Sequence, residues 1–437
     1  MQVTITIDNS FSQITGLDAT KFNALRKLLS YDMDSSAKFF SGNSFNTVRY
    51  LIDNKGNFPT GLLTTVEEHL LTTKIVYFFV DKRSKPLKSL KTVKSTLAFK
   101  PYPAQELAVT KAIQAGRGTI SMPTGTGKSL VIALLAQSLG LATLVVVPNL
   151  EIKKQLLESL NALLPGADIT VENIDSSALQ MTKKKFDVLI IDEAHHVAAK
   201  TYQKLNKGQW AGIYYRFFMT ATPFRNNDEE TLLFKAIAGD VLYRLTYKEA
   251  IAKGYIVPVE AYFIDIPKVK TDAFTWQQVY SELVVNNEAR NNAIALLLLR
   301  LNKEGKSTLC LVKEIKHGTI LSEMTNIPFA NGQDEDTRVD IARFNKGAIK
   351  ALIGTSGILG EGVDTKPCEF VIIAGLGKAK SAFMQQVGRA VRTYPGKESA
   401  KVILIRDKSH KFTKNHFNEQ VKILLEEYGV EALEINL

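Results

Sequence analysis

A short apolar run, "TISM" (Thr119–Met122), breaks into "PTGTGKS" (Pro123–Ser129) and resumes as "LVIALLAQSL". Read in order, that is a strand, a glycine-bearing loop and an apolar helix. The loop follows the pattern GxxxxGK[ST]. Pro123, Thr124, Gly125, Thr126 and Gly127 form a loop whose backbone N–H groups can encircle phosphate oxygens, because glycines let the chain come close. Lys128 is placed to neutralise the outer phosphates and the Ser129 hydroxyl to ligate Mg²⁺. The start of the helix adds its dipole to the anion site. One departure is plain: Met122 stands where the general pattern has its first glycine. A neutral side chain there is tolerable if the loop curls after it. A chain with this stretch is expected to be α/β, with the loop at the carboxyl end of a parallel strand.

A second stretch, "VLIIDEAHHV" (Val188–Val197), puts two acids and two histidines at the end of another apolar run. A phosphate loop needs an acid near Mg²⁺ and a group to position the attacking water. Asp192 fits the first role, directly or through a water, and Glu193 the second. Zinc fits badly. The metalloprotease pattern HExxH spaces its histidines four apart, whereas His195 and His196 are adjacent. Adjacent residues diverge by about 100° on a helix and face opposite sides of a strand.

The rest of the chain repeats the α/β rhythm. "TLVVVP", "FDVLIIDE" and "YYRFFMTAT" read as buried parallel strands, and so do "STLCLVK", "IKALIGTS", "CEFVIIAG" and "AKVILIR". We divide the 437 residues into 1–97, 98–254 and 255–437. The fold class expected is α/β: two tandem P-loop-type domains with parallel sheets behind a small α+β N-terminal domain. No run of about 18 or more apolar residues occurs, so no membrane span is expected. The N-terminus "MQVTITIDNSFSQ" lacks the basic and apolar regions of a secretory signal. Cys310 and Cys368 form no CxxC pair and read as core thiols of a reducing cytoplasm.

Several further motifs follow in a fixed order, and together they resemble the superfamily 2 helicases and translocases, which use two RecA-like domains. "FKPYPAQ" looks like an adenine-reading Q motif, with Gln105 as the amide. "VPNLEIKKQ" resembles motif Ia, in which Pro148 and Asn149 face the nucleic-acid strand. "DEAH" is motif II, with His195 relaying the state of the nucleotide and His196 expected to be structural. "MTATP" is similar to motif III, with Thr220 and Thr222 coupling hydrolysis to movement. "CLVKE" resembles motif IV, with Val312 and Lys313 near the strand. "GTSGILGEGVDT" resembles motif V, with Thr355 on a phosphate and Gly362 and Asp364 by the nucleotide. "QQVGRAVR" matches the QxxGRxxR spacing of motif VI through Gln385, Arg389 and Arg392. The resemblance implies ATP and Mg²⁺ as cofactors. Arginines delivered by the second domain to the γ-phosphate would raise the rate by about 10³–10⁵. Closure of the two domains would then drive the motion.

Within the superfamily, the small N-terminal domain, the DEAH box, "LTYKEAIAKGYIVP" and "FMTATPFRNND" resemble the phage branch-migration helicases of the UvsW type. That implies remodelling of branched or forked DNA (fork regression, Holliday-junction migration and R-loop removal) in a bacterial or phage-infected cytoplasm. An RNA helicase, the motor subunit of a restriction system and a non-catalytic clamp are the rival readings. Intact Lys128, Asp192, Glu193 and Arg389 count against the clamp, and the short chain without a nuclease constellation counts against the restriction motor. The protein partners are not indicated.

Charge adds a nucleic-acid signal. The chain carries 55 Lys and Arg against 44 Asp and Glu, a net +11. Residues 81–100 alone hold seven basic residues and one acid, while residues 1–80 balance at seven of each. Lys82, Lys85, Lys88, Lys91 and Lys94 recur at every third position, around a Pro86 that argues against one unbroken helix. They are expected to track phosphates, the contacts that release counterions. Phe39, Phe40, Phe45 and Tyr50 could stack on bases, although core packing is the commoner fate of such aromatics.

Overall fold

A computed structural model of the chain describes residues 2–32, 48–86, 99–196, 202, 204–222, 228–360, 365, 368–375, 377 and 379–435. The chain divides into two compact units. One is Met1–Met122 with Lys128–Arg244; the other is Leu245–Leu437, with which Pro123–Gly127 is grouped.

The first unit opens with strands β1 (Val3–Ile7), β2 (Phe11–Thr15), β3 (Ser30–Asp32), β4 (Val48–Tyr50), β5 (Asn57–Pro59) and β6 (Tyr77–Asp81). The order β5-β2-β1-β6 makes a mixed four-stranded sheet, with β3 and β4 pairing separately. Helices α1 (Ala19–Leu28) and α2 (Leu63–Thr72) pack on it. Asp18 caps α1 by accepting from the Lys21 N–H at 2.9 Å. This is the small α+β domain expected from the sequence. Tyr50 is exposed, with the Arg26 guanidinium 4.1 Å over its ring. Phe39, Phe40 and Phe45 lie outside the described residues, as do Lys88, Lys91 and Lys94. Lys82 and Lys85 are exposed.

A six-stranded parallel sheet follows. Its strands are β7 (Arg117–Ser121), β8 (Thr143–Val147), β9 (Ile169–Asn173), β10 (Val188–Ile191), β11 (Tyr215–Thr220) and β12 (Val241–Arg244), in the order β12-β7-β11-β10-β8-β9. Every residue of β8, β10 and β11 is buried, which is why these strands read as unbroken apolar runs rather than alternating ones. The exception proves instructive: Arg216, inside β11, is 1% exposed. Its guanidinium donates to the carbonyls of Trp210 and Leu205 and to Asn206 Oδ1, each at 2.7 Å. Those bonds tie down the loop before β11. Around the sheet run α3 (Pro103–Ala115), α4 (Lys128–Leu139), α5 (Leu150–Leu163), α6 (Ser177–Met181) and α7 (Asp228–Ala238).

The N-terminal domain shares its core with α7: Ala236 joins Leu62, Val66 and Leu70, and Leu232 packs beside them. The two are also sewn together by Asn9 Nδ2 donating to the Gly212 carbonyl at 2.9 Å and Arg117 Nη1 to the Asn9 carbonyl at 2.6 Å. The domain is thus built onto the first sheet rather than tethered to it.

The second unit carries a seven-stranded parallel sheet of β13 (Val259–Asp265), β14 (Thr308–Val312), β15 (Phe329–Ala330), β16 (Ala351–Thr355), β17 (Phe370–Ile373), β18 (Ala400–Arg406) and β19 (Ala432–Glu434), in the order β15-β16-β14-β17-β18-β13-β19. Its helices include α8 (Tyr247–Ala252), α9 (Trp276–Tyr280), α10 (Glu288–Lys303), α11 (Ile315–Thr325), α12 (Thr337–Asn345), α13 (Ser356–Gly360), α14 (Lys380–Gly388) and α15 (Lys411–Ile423). The architecture is that of two RecA-like α/β domains behind a small N-terminal one. Among the described residues no helix is long and apolar enough to cross a membrane.

Gly61 marks a close seam between the N-terminal domain and α7. A Cβ there would lie 2.3 Å from the Lys235 carbonyl oxygen and 2.5 Å from that of Ala236. Backbone must move to admit it. Gly61→Ala should therefore cost about 1–3 kcal/mol of stability. Urea denaturation reads this as a lower midpoint; an unchanged midpoint would refute the close docking.

Candidate active site

The phosphate-loop residues fold as their spacing requires. Met122 is buried and still in the ladder, its N–H donating to the Thr220 carbonyl at 3.0 Å. The strand thus runs one residue past β7, and the position that the general pattern gives to glycine needs no glycine here. The turn comes afterwards. Gly125 and Gly127 have φ of 89° and 79°, in the left-handed region that side chains disfavour. Thr126 closes the loop on itself, its hydroxyl donating to the Pro123 carbonyl at 2.8 Å. Lys128 and Ser129 then open α4.

The acidic pair sits two strands away. In the order β7-β11-β10, Lys128 follows β7, Thr220 ends β11 and Asp192 follows β10, so all three gather at the carboxyl edge of one sheet. Glu193 Oε1 lies 3.8 Å from Lys128 Nζ, and its Oε2 lies 3.3 Å from His195 Nδ1. Glu193 has φ of 48°, a conformation that costs a non-glycine residue about 1–2 kcal/mol. Its own N–H donates to Asp192 Oδ1 at 2.9 Å. Strain of this kind persists where the surroundings over-determine it, often at functional sites. Here the lysine and the histidine hold the carboxylate.

Asp192 is buried, and burial first, then the charge of Glu193, pushes its carboxyl up to about 6. Lys128 and His195 act the other way. A carboxyl driven toward its neutral form by burial and then by a neighbouring acid suits a bound cation. Mg²⁺ needs only one or two carboxylates when phosphate oxygens complete its shell. Asp192 and the Ser129 hydroxyl are the donors that fit.

The remaining predicted residues are placed as follows. Thr220 is buried, and its hydroxyl accepts from the Thr222 N–H at 3.1 Å, so the motif III turn is self-capped beside the loop strand. Gln105 is buried, and its side-chain oxygen accepts from the Tyr102 N–H at 2.8 Å in a capping box on α3. Pro148 and Asn149 follow β8 half-buried, with Asn149 Oδ1 capping α5 through the Ile152 N–H at 2.9 Å. The description of His196 stops at its backbone, and Gly362 and Asp364 lie outside the described residues.

In the second unit one expectation needs correcting. Val312 is fully buried at the end of β14, within the core cluster, so its side chain cannot reach a strand. Lys313, the next residue, is exposed. Thr355 is buried at the end of β16. Gln385 and Arg392 are half-buried; Arg389 is buried at the C-cap of α14.

Three polar residues missed from the sequence organise this region. The Ser356 hydroxyl donates to the Val312 carbonyl at 3.0 Å and accepts from Gln386 Nε2 at 2.8 Å, linking the ends of β14 and β16 to α14. Lys397 donates to the carbonyls of Ala390 and Arg392, which fixes the chain just after α14. Burial lowers its ammonium to about 8. A polar residue beside each matched motif was the available signal. Cys310 and Cys368 are buried, and burial pushes both thiols up to about 12, which leaves them unreactive.

Residues 98–177 and 168–225 match the family described as "Type III restriction enzyme, res subunit", and residues 289–394 the "Helicase conserved C-terminal domain". Together these matches cover more than half of the chain. The "Putative DNA 3'-5' helicase Rad25" of Halobacterium salinarum is 26% identical over 70% of this chain and 54% of its own length. The "DNA 3'-5' translocase XPB2" of Sulfurisphaera tokodaii is 25% identical over 69% of this chain and 80% of its own length. The "ATP-dependent DNA helicase uvsW" of phage T4 is 21% identical over 72% of this chain and 70% of its own length. The chain therefore spans about half the length of the haloarchaeal relative and more of the other two. In fold it resembles a putative HsdR subunit fragment of a type I restriction enzyme from Vibrio vulnificus YJ016. That likeness has a TM-score of 0.60 at 18% identity, over 89% of this chain and 75% of that one.

The Asp192 carboxyl sets a pH test. Its folded value, about 6, lies above its ordinary 3.8, so the folded chain holds this proton more tightly than the unfolded chain does. The stability that this supplies is complete below pH 3.8 and is lost as pH rises through about 6. Asp192→Asn, measured without nucleotide or Mg²⁺, should then be more stable than the parent at neutral pH by about 1–3 kcal/mol. The gain should vanish in acid. Thermal melts across pH check this; a variant less stable at pH 7 would contradict it.

On its two tandem domains, their motifs and the matches to both, the chain belongs to the superfamily 2 helicases.

Proposed function

We propose that this helicase acts on DNA, as a translocase that remodels branched duplexes by regressing forks, migrating four-way junctions and clearing R-loops. The DNA half is carried by one observation: relatives aligned over about 70% of the chain are named DNA helicases or translocases. The branched-substrate half is supported by the resemblance to the phage helicase and by the small N-terminal domain built onto the first unit. That domain and the lysines from Lys82 to Lys94 are the substrate-gripping part of the proposal.

In this reading, the backbone of Pro123–Gly127 and the Lys128 ammonium take the phosphates of ATP. Gln105 reads the adenine from a capping bond that fixes its amide. Asp192 and Ser129 would hold Mg²⁺, which neutralises charge on the phosphate oxygens when bound. Glu193, steadied by His195, orients and deprotonates the attacking water. Gln385, Arg389 and Arg392 stabilise charge on the leaving phosphoryl group. The closing movement that this requires is what would couple hydrolysis to Thr220, Thr222 and the strand contacts at Pro148, Asn149, Lys313 and Thr355. Gly362 and Asp364 are proposed to lie beside the nucleotide, as the resemblance to motif V implies.

A motor of the restriction type is the second reading. The family description of residues 98–225 and the likeness to the HsdR fragment favour it. ATP hydrolysis measured side by side on four-way DNA junctions, forks, R-loops, linear duplex, single strands and duplex RNA separates these readings. We expect branched DNA to stimulate most and RNA least. Equal stimulation by linear duplex would favour the restriction-type motor, and stimulation by RNA alone would overturn the DNA reading.

A further inference from the structure

A cleft of about 590 Å³ opens in the second unit, and none of the residues assigned to the nucleotide is among those that line it. Its floor is the carboxyl edge of the sheet: Lys313 follows β14, Ser356 follows β16 and Gly375 follows β17. These are three neighbouring strands, in the order β16-β14-β17. From β14 the chain runs toward β15 on one side, and from β17 it runs to β18 on the other. The cleft therefore lies at a topological switch point, where open parallel sheets take ligands.

Its walls have a definite chemistry. Trp276, Phe412 and His416 form an aromatic cluster, with the Trp276 ring centroid 4.2 Å from that of His416 and 5.9 Å from that of Phe412. Trp276 and Phe412 are only half-buried, so ring surface faces the cleft. At the rim stands exposed Lys313, its ammonium 5.4 Å over the Tyr280 ring. Deep in the wall is Gln420, 3% exposed, whose Oε1 makes no hydrogen bond among the described residues. Ser356 and Gln386 also line the cleft, but their polar ends are already bonded to each other. A buried acceptor left without a donor costs about 1–3 kcal/mol. A ligand N–H brought into the cleft would answer it.

We infer that this cleft binds one unpaired nucleobase of the strand, stacked on the Trp276–Phe412–His416 wall. The Gln420 amide oxygen accepts from the base edge, and Lys313 meets the adjoining phosphate. The inference rests on the nucleic-acid reading above and adds to it a site that senses whether a base is paired. The chemistry favours a base over another planar ligand. Every nucleobase offers a π face and at least one N–H on its Watson–Crick edge, so a wall and a single acceptor grip any sequence, as a translocase requires. In duplex that edge is occupied, so only a strand that has opened can enter.

The test compares a short labelled DNA strand of mixed sequence with the same strand made abasic, bound to the full chain. In the parent, removal of the bases should weaken binding at least about tenfold. Trp276→Ala and Gln420→Leu should each bind the intact strand more weakly and show a much smaller loss on going to the abasic strand. Trp276→Phe, which keeps a ring, should stay close to the parent and so reports that the site is still folded. An undiminished loss in both Trp276→Ala and Gln420→Leu would overturn the pocket while leaving DNA binding intact. A parent chain that binds neither strand would overturn the nucleic-acid reading, and the pocket with it.

Discussion

Asp192 is buried at the end of a strand whose four residues are all buried, and the next residue in the chain is a second acid. Two carboxylates so placed repel, and burial removes the water that would otherwise screen them. The fold meets this with local devices. Glu193 is turned through a left-handed backbone conformation, so that its carboxylate meets Lys128 and His195 while its N–H bonds Asp192. What remains is an acid whose carboxyl burial and Glu193 push up to about 6. The position of the phosphate loop, the identity of the intervening strand and the strained turn all answer to that arrangement.

Sheet topology does the rest of the placement. Parallel strands release their side chains and loops at one edge, so residues as distant in sequence as Lys128, Asp192 and Thr220 converge there. The second unit repeats the device with different residues. There the ends of β14, β16 and β17 gather Lys313, Ser356 and Gly375 around an aromatic cleft rather than a phosphate loop. One architecture thus presents two chemistries: a lysine facing paired carboxylates in one unit, ring faces and an unanswered amide oxygen in the other.

Much of this was legible in the sequence, and the reasons are physical. Short unbroken runs such as "VLII", "TLVVV" and "FVII", rich in β-branched residues and bounded by polar turns, fit buried parallel strands, and a GK[ST] loop after one of them has few alternatives. What stayed hidden depended on neighbours far along the chain. Val312 read as a strand-contacting residue because the burial of the last position of β14 is not visible in "CLVKE". The Ser356–Gln386 bond joins residues thirty apart. The docking of Gly61 against the Lys235 and Ala236 carbonyls needs both surfaces to be known at once. Met122 stood out as a departure from pattern and is explained by a single ladder bond to Thr220.

The division of labour between the two acids is the central claim, and Glu193→Gln measures it most directly. The change keeps the shape of the side chain and removes the charge that bears on Asp192. Binding of labelled ATP with Mg²⁺ and single-turnover hydrolysis should be followed in the same preparation. If Glu193 activates the water, ATP binding stays near that of the parent while hydrolysis falls at least about a hundredfold. Hydrolysis within a few-fold of the parent, or loss of ATP binding along with hydrolysis, would contradict the account.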